Sequence, residues 1–402
     1  QAGMMPFTAY TFNYISLGAV IANIPVIFLA GIILPAGLCA LIMGMIWECG
    51  FSFLMSILDI CCEVLVWINE LFYVSGKTSF DVISPPVWVL ILYYGSVFFC
   101  LSEVGQLCFI RRKKEIIVAA GLMLCMTAAI SVPVMRSPLA DAEIVFVDVG
   151  QGDCIHVKTP SGRNYLIDGG GSSDYDTGLK VVKPYLLKNG VRRIDAAFVT
   201  HLHEDHYGGI KSLAADGMIE KVAVYEANKQ MENILQEETK AELIYLYGGM
   251  KVELDESCFI EVIAPERETD GKYRELIANT DDENDLSLIM KLNYDGKSVL
   301  ITGDIDDDGE GNLVSKYGEH LDSDIMKVPH HGSKYSSSDP FVDAVSPVLA
   351  VFQVGKNNYG HPAPDVLSRY RARGCENVRN DKSGAIGVSV NEEALKVVCM
   401  IH

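Results

Sequence analysis

The sequence has 402 residues, 49% of them hydrophobic, with a mean hydropathy of +0.21 and a formal net charge of −19. A single soluble domain does not combine so apolar a composition with so large a charge, which indicates two unlike parts. The same composition excludes disordered, collagen-like and disulfide-stapled proteins.

The charged residues divide the chain near residue 140. Residues 1–139 carry 6 Lys and Arg against 7 Asp and Glu, whereas residues 140–402 carry 27 against 45, a formal charge of −18, together with all nine histidines. We therefore predict membrane-embedded helices over 1–139 and a domain over 140–402 that is large enough to bury its own core. Because the chain begins at Gln1 in mid-pattern, we expect it to be a fragment without a signal peptide.

The first part contains long stretches without charge. None occurs from Tyr14 to Trp47, which exceeds the roughly 20 residues that span a bilayer core. Pro25 and Pro35 suggest a broken or re-entrant path within this stretch. Two clearer spans are predicted over 82–101 and 116–134.

The remaining apolar run and a basic cluster bear on topology. Acidic residues interrupt the run over 51–73, so a helix along the interface fits as well as a third span. Arg111 to Lys114 lie between the two clear spans, and short basic loops stay in the cytoplasm. This predicts that everything after Arg136 lies on the outer face of the membrane; an ordinary solvated charge run is the alternative.

After Asp141, short β-branched runs alternate with helical stretches. Strands are predicted over 143–149, 154–158, 164–168, 194–200, 221–225, 259–263, 286–293, 298–302, 324–328 and 348–354. Helices are predicted over 178–188, 207–216, 229–239, 310–317, 339–345 and 364–373. Early strands follow one another as hairpins and later ones are separated by helices, which favours an α/β fold of two sheets with helices outside, an αββα sandwich.

The strongest chemical signal is a cluster of His201, His203, Asp205 and His206 directly after an apolar strand. His201 and His203 can face one metal ion from an extended turn, while Asp205 and His206 begin the next helix and can face a second. Histidines crowded without a ligand would repel one another when protonated and leave buried nitrogens unpaired when neutral. The spacing therefore indicates a metal site.

Further candidates stand where other predicted strands end. Asp304 follows one strand, and it is either a metal ligand or a helix N-cap. His330 and His331 close another strand before Gly332. Asp168 precedes three glycines, where it either orients the histidine-rich loop from behind or is a plain turn aspartate.

In this order, the motifs resemble those of the metallo-β-lactamase superfamily over most of 142–402. Finer motifs are similar to those of the ComEC-type DNA internalisation proteins of natural competence, and the apolar first part resembles the last membrane helices of that family's competence domain. These motifs are Phe146-Val147-Asp148-Val149-Gly150-Gln151-Gly152-Asp153, Asn284-Asp285-Leu286-Ser287-Leu288, Val328-Pro329-His330-His331-Gly332-Ser333 and Tyr359-Gly360-His361-Pro362.

The resemblance implies a metallo-β-lactamase-like αββα domain on the outer face of a multi-pass protein of the cell membrane, beside a channel that admits single-stranded DNA. Competence DNA-receptor and translocation proteins would be its partners. The outer domain would be a metal-dependent nuclease, a phosphodiesterase that degrades the non-transported strand. The rival hypotheses are a hydrolase of another phosphoester or small molecule, and a noncatalytic metal-stabilised module that guides DNA.

The resemblance also implies ligands for two divalent ions, Mn²⁺ or Zn²⁺. His201 and His203 would hold the first ion, Asp205 and His206 the second, and Asp304 would bridge them. One of His330 and His331 would complete the second site, and we expect His331, with His330 beside it.

The same resemblance implies roles in catalysis and substrate binding. Asp205, His330 and His361 would act in catalysis, and His361 would contact the scissile phosphate or protonate the leaving oxygen; a structural turn is the alternative for His361. Ser333, Lys334 and His361 would bind substrate, while Asp168, Asn284 and Asp285 would support the ligands from behind.

Two features depart from what a nuclease of this superfamily would show. No histidine lies between His206 and Asp304, so the first ion would have two imidazoles, a carboxylate and waters, a harder site that fits Mn²⁺ better than Zn²⁺. The formal charge of −18 on residues 140–402 also opposes DNA binding. Salt screens this repulsion beyond roughly 8 Å, so positively charged side chains close to the bound DNA must offset it. Lys327, Lys334 and Lys356 are the candidates, with ordinary surface lysines as the alternative.

Overall fold

The computed structural model describes residues 3–16, 18–74, 79–107, 143–226, 241–267, 283–391 and 394–401. The chain divides into two units, Gln1–Met135 and Arg136–His402. The predicted span over 116–134, the basic cluster from Arg111 to Lys114, the predicted boundary after residue 139 and the predicted helix over 229–239 lie outside the described residues.

The described part of the first unit is mainly helical. Two short strands, β1 (Tyr14–Ser16) and β2 (Ser79–Asp81), pair in antiparallel fashion. The helices are α1 (Met5–Phe12), α2 (Gly18–Gly44), α3 (Glu48–Val74) and α4 (Val87–Leu101). Within α2 and α3, residues Ile21–Gly44 and Glu48–Phe72 are long and apolar enough to cross a bilayer. Both alternatives for the run over 51–73 require a helix, and α3 is that helix.

The expectation of a broken or re-entrant path at Pro25 and Pro35 is wrong. Helix α2 continues through both prolines. A proline removes one backbone hydrogen bond but leaves those of the neighbouring turns, and a long apolar helix retains enough of them.

The predicted span over 82–101 is too long at its start. Helix α4 begins only at Val87 and has 15 residues, which is short of the roughly 20 needed to span a bilayer core. Pro85 and Pro86 disfavour helical backbone before them. Ser84 instead accepts a hydrogen bond of 2.6 Å from the Asn13 side chain.

The strands described for the second unit form two β-sheets. In chain order the strands are β3 (Ile144–Phe146), β4 (Ile155–Lys158), β5 (Asn164–Ile167), β6 (Ala196–Phe198), β7 (Lys221–Tyr225), β8 (Glu242–Leu246), β9 (Lys251–Asp255), β10 (Cys258–Ala264), β11 (Ile289–Tyr294), β12 (Lys297–Ile301), β13 (Ile325–Lys327), β14 (Leu349–Phe352), β15 (Glu376–Arg379), β16 (Ile386–Asn391) and β17 (Ala394–Cys399). Sheet I has the order β15-β14-β13-β12-β11-β10-β9, and sheet II has the order β17-β16-β3-β4-β5-β6-β7-β8.

Helices cover the outer faces of both sheets. They are α5 (Lys183–Lys188), preceded by a π-helical turn (Gly178–Val182), α6 (Glu204–Ala215), α7 (Asp307–Tyr317), α8 (Asp339–Val345) and α9 (Pro364–Ala372). A further short helix, α10 (Asn380–Ser383), follows β15. Alternation along β3 shows the layers: Ile144 and Phe146 point into the core between the sheets, while Val145 packs with Ile210 of α6. On sheet I, Phe341 of α8 packs against the outer face. The predicted αββα sandwich is confirmed.

Sequence reasoning missed five strands, β8, β9, β15, β16 and β17. Four of them are the edge strands of the two sheets, and β16 lies next to an edge. An edge strand meets solvent along one side and needs fewer apolar side chains, so its pattern in the sequence is weak.

Parallel pairing brings the ends of several strands to one edge of the sandwich. Strands β5 to β8 are parallel in sheet II, and β12 to β15 are parallel in sheet I. The loops that follow parallel strands leave the sheet at the same edge. The loops after β5, β6, β12, β13 and β14 carry the residues singled out above as candidate ligands and their neighbours.

Glycines let one of these loops lie directly against α6. The Gly209 backbone N–H donates a hydrogen bond of 2.7 Å to the Gly170 carbonyl. A Cβ atom on Gly209 would lie 2.0 Å from the Gly169 carbonyl oxygen, and one on Gly171 would lie 1.7 Å from the Glu204 carbonyl oxygen. Side chains at these positions would therefore push the loop after β5 away from the helix that carries His206.

We expect Gly209→Ala to lower the free energy of unfolding of the second unit by about 1–3 kcal/mol, because the added methyl group overpacks a backbone contact. Gly311→Ala is the matched control: it lies in α7 with no atom near the added methyl group. It should stabilise by about 0.5–1 kcal/mol. Thermal proteolysis of the purified chain measures both, and equal midpoints for the two variants would contradict the packing argument.

Candidate metal centre

Four side chains from three loops converge at this edge. They are Asp205, His206, Asp304 and His331, and one possible ligand atom from each lies within 4.8 Å of all the others. Three of them are buried, whereas the side chain of Asp205 is 34% exposed and faces solvent. We call these four residues the ligand cluster, and we call this solvent-facing side of the cluster its open side.

The ring nitrogens in the ligand cluster point at carboxylate oxygens. His206 Nε2 lies 3.3 Å from Asp304 Oδ1, and His331 Nε2 lies 3.3 Å from Asp304 Oδ2. His331 Nε2 is also 3.2 Å from Asp205 Oδ2. Asp304 therefore lies between two imidazoles, whereas a helix cap would have placed it against backbone N–H groups.

The ligand cluster fits a divalent metal ion. His206 Nε2 and Asp304 Oδ1 are buried and lie 3.3 Å apart, but neither forms a well-aligned hydrogen bond with any described residue. Buried polar atoms without partners are costly, and a cation between them would remove that cost. Two imidazoles and two carboxylates are a donor set suited to Zn²⁺ or Mn²⁺.

Asp168 lies behind the ligand cluster and forms a hydrogen bond with His206. It is buried, has a positive φ of 56°, and accepts hydrogen bonds from the Thr200 N–H at 2.8 Å and the Thr200 hydroxyl at 2.7 Å. His206 Nδ1 donates to its Oδ2 at 2.8 Å. Because a carboxylate only accepts, this bond directs His206 Nε2 toward Asp304. The supporting role of Asp168 stays a prediction, and this contact is the observation that favours it over a plain turn aspartate.

His331 is oriented by the backbone of the next strand end. Its Nδ1 donates to the Gln353 carbonyl oxygen at 2.9 Å, which turns Nε2 toward Asp205 and Asp304. His330 lies outside the ligand cluster: its side chain is 31% exposed, and its Nε2 is 3.9 Å from Asp304 Oδ2. Both histidines have positive φ values, 47° and 54°, a strained backbone of the kind found at functional sites.

The charges in the ligand cluster depend on one another. Burial lowers the pKa values of His206 and His331, but the nearby carboxylates, Asp304 first, outweigh burial and raise both pKa values well above normal. Burial raises the pKa of Asp304, yet His331 and His206 hold it well below its usual value. A metal ion bound here would compete with protons on the two rings.

His201 and His203 form a separate pair of donors beside the ligand cluster. His201 Nε2 lies 3.2 Å from His203 Nδ1. The Thr200 hydroxyl gives its hydrogen to Asp168, so it accepts from His201 Nδ1 at 3.1 Å. The hydrogen of the neutral His201 ring is therefore on Nδ1, and Nε2 keeps its lone pair. Burial lowers the pKa of His201 well below normal, which keeps the neutral form that binds metals.

Sequence reasoning gave no role to Asp153 and misjudged Lys327. Lys327 is fully buried, its Nζ contacts the Asp153 carboxylate, and it lies 3.6 Å from Asp304 Oδ1. The prediction that Lys327 is a surface cation for DNA is therefore wrong, because β13 directs it into the sandwich. Burial lowers the pKa of Lys327, but Asp153 and then Asp304 raise it above normal, so its charge offsets the carboxylates.

The signal that could have identified Asp153 is its place at the end of the motif from Phe146 to Asp153. Gly152, the residue before it, shows why this part of the motif needs a glycine. Gly152 has a φ of +124°, and a Cβ atom there would lie 2.4 Å from the Asp205 carbonyl oxygen. The Asp153 N–H donates to that same oxygen at 3.1 Å, which ties this turn to the start of α6.

The predicted substrate-binding residues lie in two places. Ser333 is buried, and its hydroxyl accepts a hydrogen bond from the Tyr335 N–H at 3.3 Å, which is a contact within its own turn. Lys334 and Lys356 are exposed. The ring of His361 lies 5.7 Å from that of His330, on the open side of the ligand cluster.

His361 is half-buried, and its Nδ1 has no hydrogen-bond partner among the described residues. Burial, with a smaller contribution from the charges of His330 and His331, lowers its pKa. Asn284 is buried in a turn next to Ser287, whose Oγ accepts from the Asp304 N–H at 3.4 Å. The side chain of Asp285 lies outside the described residues.

Two family models match separate parts of the chain. Residues 147–355 match the model described as the metallo-beta-lactamase superfamily, and residues 1–106 match the model described as Competence protein.

Relatives with curated names match as well. ComE operon protein 3 of Bacillus subtilis is 25% identical over 96% of this chain and 50% of its own length. Competence protein ComA of Neisseria gonorrhoeae is 32% identical over 64% of this chain and 34% of its own length. The chain thus spans about half or less of these relatives. Among solved structures, the metallo-beta-lactamase fold protein YhfI from Bacillus subtilis is 10% identical with a TM-score of 0.39, covering 59% of this chain and 95% of that one.

We expect His331→Ala to bind divalent metal at least about tenfold more weakly than the wild-type chain, because it removes one of four converging donors. His320→Ala is the matched control, since His320 is half-exposed and pairs with Glu261 away from the ligand cluster. Elemental analysis after equilibration with Mn²⁺ or Zn²⁺ measures the difference. Equal metal content in the two variants would refute the assignment of His331.

Proposed function

The chain belongs to the metallo-beta-lactamase superfamily, and we propose that it acts in DNA uptake as a membrane-bound, metal-dependent phosphodiesterase that cleaves DNA. A metallo-beta-lactamase domain and a Competence protein segment occur here in one chain, the combination of a ComEC-type protein. The observation that carries the proposal is the ligand cluster, in which two imidazoles and two carboxylates converge at the open edge of the sandwich.

The ligand cluster would hold one divalent ion, and His201 with His203 would hold a second near it. When bound, such ions neutralise phosphate charge and make a nucleophile available at neutral pH. Asp205 faces the open side of the cluster. Burial raises the pKa of Asp205, but hydrogen bonding to His331 and the charge of His206 lower it well below normal, so Asp205 stays ionised. It would orient an attacking water by accepting its hydrogen bond.

His330 and His361 would act on the substrate from the open side. Their rings lie 5.7 Å apart, and His330 is the nearer to Asp304. His361, which has an unpartnered Nδ1 among the described residues, would donate a hydrogen bond to the scissile phosphate or a proton to the leaving oxygen. Lys334 and Lys356 are exposed on the loops that follow β13 and β14 and would offset the repulsion between the acidic unit and DNA.

The proposed location is the cell membrane, with several spans and the second unit on the outer face. Two apolar helices and the Competence protein match support membrane association. The DNA strand that is not transported would meet the ligand cluster outside the cell, and DNA-receptor and translocation proteins of competence are the proposed partners.

We expect a cysteine at Val348, which is 60% exposed, to react with a membrane-impermeant maleimide in intact cells more than the wild-type chain does. The wild-type chain is the control because it carries its own free cysteines. Labelling of Val348→Cys only after the cells are permeabilised would contradict the outer location.

We expect His361→Ala to keep its metal and to cleave DNA about 10²- to 10⁴-fold more slowly if it protonates the leaving oxygen. An activated aryl phosphodiester, whose leaving group needs no proton, should lose much less rate. If His361 only grips the phosphate, both substrates should slow alike. The control, His320→Ala, should match the wild-type chain on both substrates.

Rates are measured with the detergent-solubilised full chain and added Mn²⁺ or Zn²⁺. A wild-type chain that binds metal but cleaves only phosphoesters other than DNA would contradict the proposed substrate. Unchanged rates for His361→Ala on both substrates would show that His361 takes no part in catalysis.

A further inference from the structure

The exposed phenylalanine, tyrosine and tryptophan side chains of the second unit, within its described residues, are three tyrosines. Tyr175 is 39% exposed, Tyr335 is 62% exposed and Tyr359 is 78% exposed. Exposed aromatic rings are unfavourable in water and are concentrated at binding surfaces. Their positions relative to the ligand cluster therefore matter.

Tyr359 is the outermost ring of a row that leads away from the ligand cluster. His330 Nε2 lies 3.9 Å from Asp304 Oδ2, the ring of His361 lies 5.7 Å from that of His330, and the ring of Tyr359 lies 5.9 Å from that of His361. The rings of Tyr359 and His361 are inclined by 37°. A nucleotide whose phosphate meets His361 would thus have its base within reach of the Tyr359 ring.

The loop that carries Tyr359 is braced internally. Asn357 Oδ1 accepts hydrogen bonds from the N–H groups of Tyr359 and His361, both at 3.1 Å. Asn357 Nδ2 donates to the carbonyl oxygens of Gly355 and His361 at 3.0 and 2.9 Å. The backbone is therefore held in place while the Tyr359 ring stays open to solvent.

Tyr335 lies four residues after His331, on a loop that contacts the start of α7. Its carbonyl oxygen accepts a hydrogen bond of 2.9 Å from the N–H of Asp307, three residues beyond Asp304. Lys334 Nζ lies 4.6 Å from the centre of the Tyr335 ring, so a cation for phosphate and a ring for a base lie together.

We propose that Tyr359 is a stacking platform for an unpaired base beside the scissile phosphate, with Tyr335 as a second platform, so that the substrate is single-stranded DNA. This inference rests on the proposed nuclease function. In a duplex the faces of the bases are covered by their neighbours, whereas in a single strand they are free to stack on a ring. Stacking is tolerant of sequence, which suits an enzyme that degrades any strand it meets.

Stacking would also provide DNA affinity despite the negative charge of the second unit. Residues 140–402 carry a formal charge of −18, which weakens the phosphate contacts that most DNA-binding proteins depend on. Ring stacking contributes about 1–3 kcal/mol per base without any charge on the protein. Stacking on the tyrosines would thus compensate for phosphate contacts that the acidic surface weakens.

The test uses the detergent-solubilised, metal-loaded full chain with three probes of equal length: oligothymidylate, an abasic strand without bases, and a duplex. The wild-type chain should have a lower KM for oligothymidylate than for the other two. Tyr359→Ala should raise the KM for oligothymidylate about 5- to 150-fold, the equivalent of one stacked base, and leave the abasic strand unaffected. Tyr359→Phe and Tyr359→Trp should behave like the wild-type chain, because they keep the ring.

Val348→Ala is the matched control, because Val348 is exposed and directly precedes β14, at the opposite end of that strand from the ligand cluster. Binding of labelled oligothymidylate, followed by fluorescence anisotropy, separates the two proposals. Weaker binding by Tyr359→Ala with no cleavage by the wild-type chain would sustain the platform and sink the nuclease function. Cleavage and binding by Tyr359→Ala equal to those of Val348→Ala, or an equal loss on the oligothymidylate and abasic strands, would overturn the platform.

Discussion

The buried carboxylate of Asp168 is the interaction on which the candidate metal centre depends. Its two oxygens accept hydrogen bonds from the Thr200 backbone, the Thr200 hydroxyl and His206 Nδ1. These bonds direct the Nε2 atom of His206 toward Asp304, and through the Thr200 hydroxyl they place the hydrogen of the neutral His201 ring on Nδ1. An aspartate suits the position because it is short and tolerates the positive φ of 56°.

The centre is also an electrostatic unit built from both sheets. The loops of sheet II supply Asp168, Asp205 and His206, and those of sheet I supply Asp304 and His331. Burying so many carboxylates is unfavourable unless positive charge is buried with them. The ammonium of Lys327, in contact with Asp153, and the rings of His206 and His331 provide that charge. The same balance makes a divalent cation a natural occupant, since it can replace protons held by the rings.

The edge of the sandwich has a buried side and an open side, and they suit different tasks. On the buried side, hydrogen bonds from Asp168 and from the Gln353 carbonyl fix ring directions before any ligand arrives. On the open side, His361 and the exposed Tyr359 face solvent beyond His330. Such an arrangement separates the groups that would bind metal from those that would meet a nucleic acid.

The sequence by itself determined the αββα class and the central strands, because alternation and β-branched runs are local patterns. It also determined the segment from His201 to His206, whose donors lie within one turn and the start of a helix. The sequence did not reveal the edge strands, because solvent exposure weakens their apolar pattern. The start of α4 at Val87 was partly readable from Pro85 and Pro86, but the pairing of Ser84 with Asn13 was not, because these residues are distant in sequence. Only the tertiary structure decided that His331 and not His330 joins Asp205, and that Lys327 is buried against Asp153. Those contacts join residues far apart in the chain, and only the packing of the two sheets brings them within hydrogen-bonding distance.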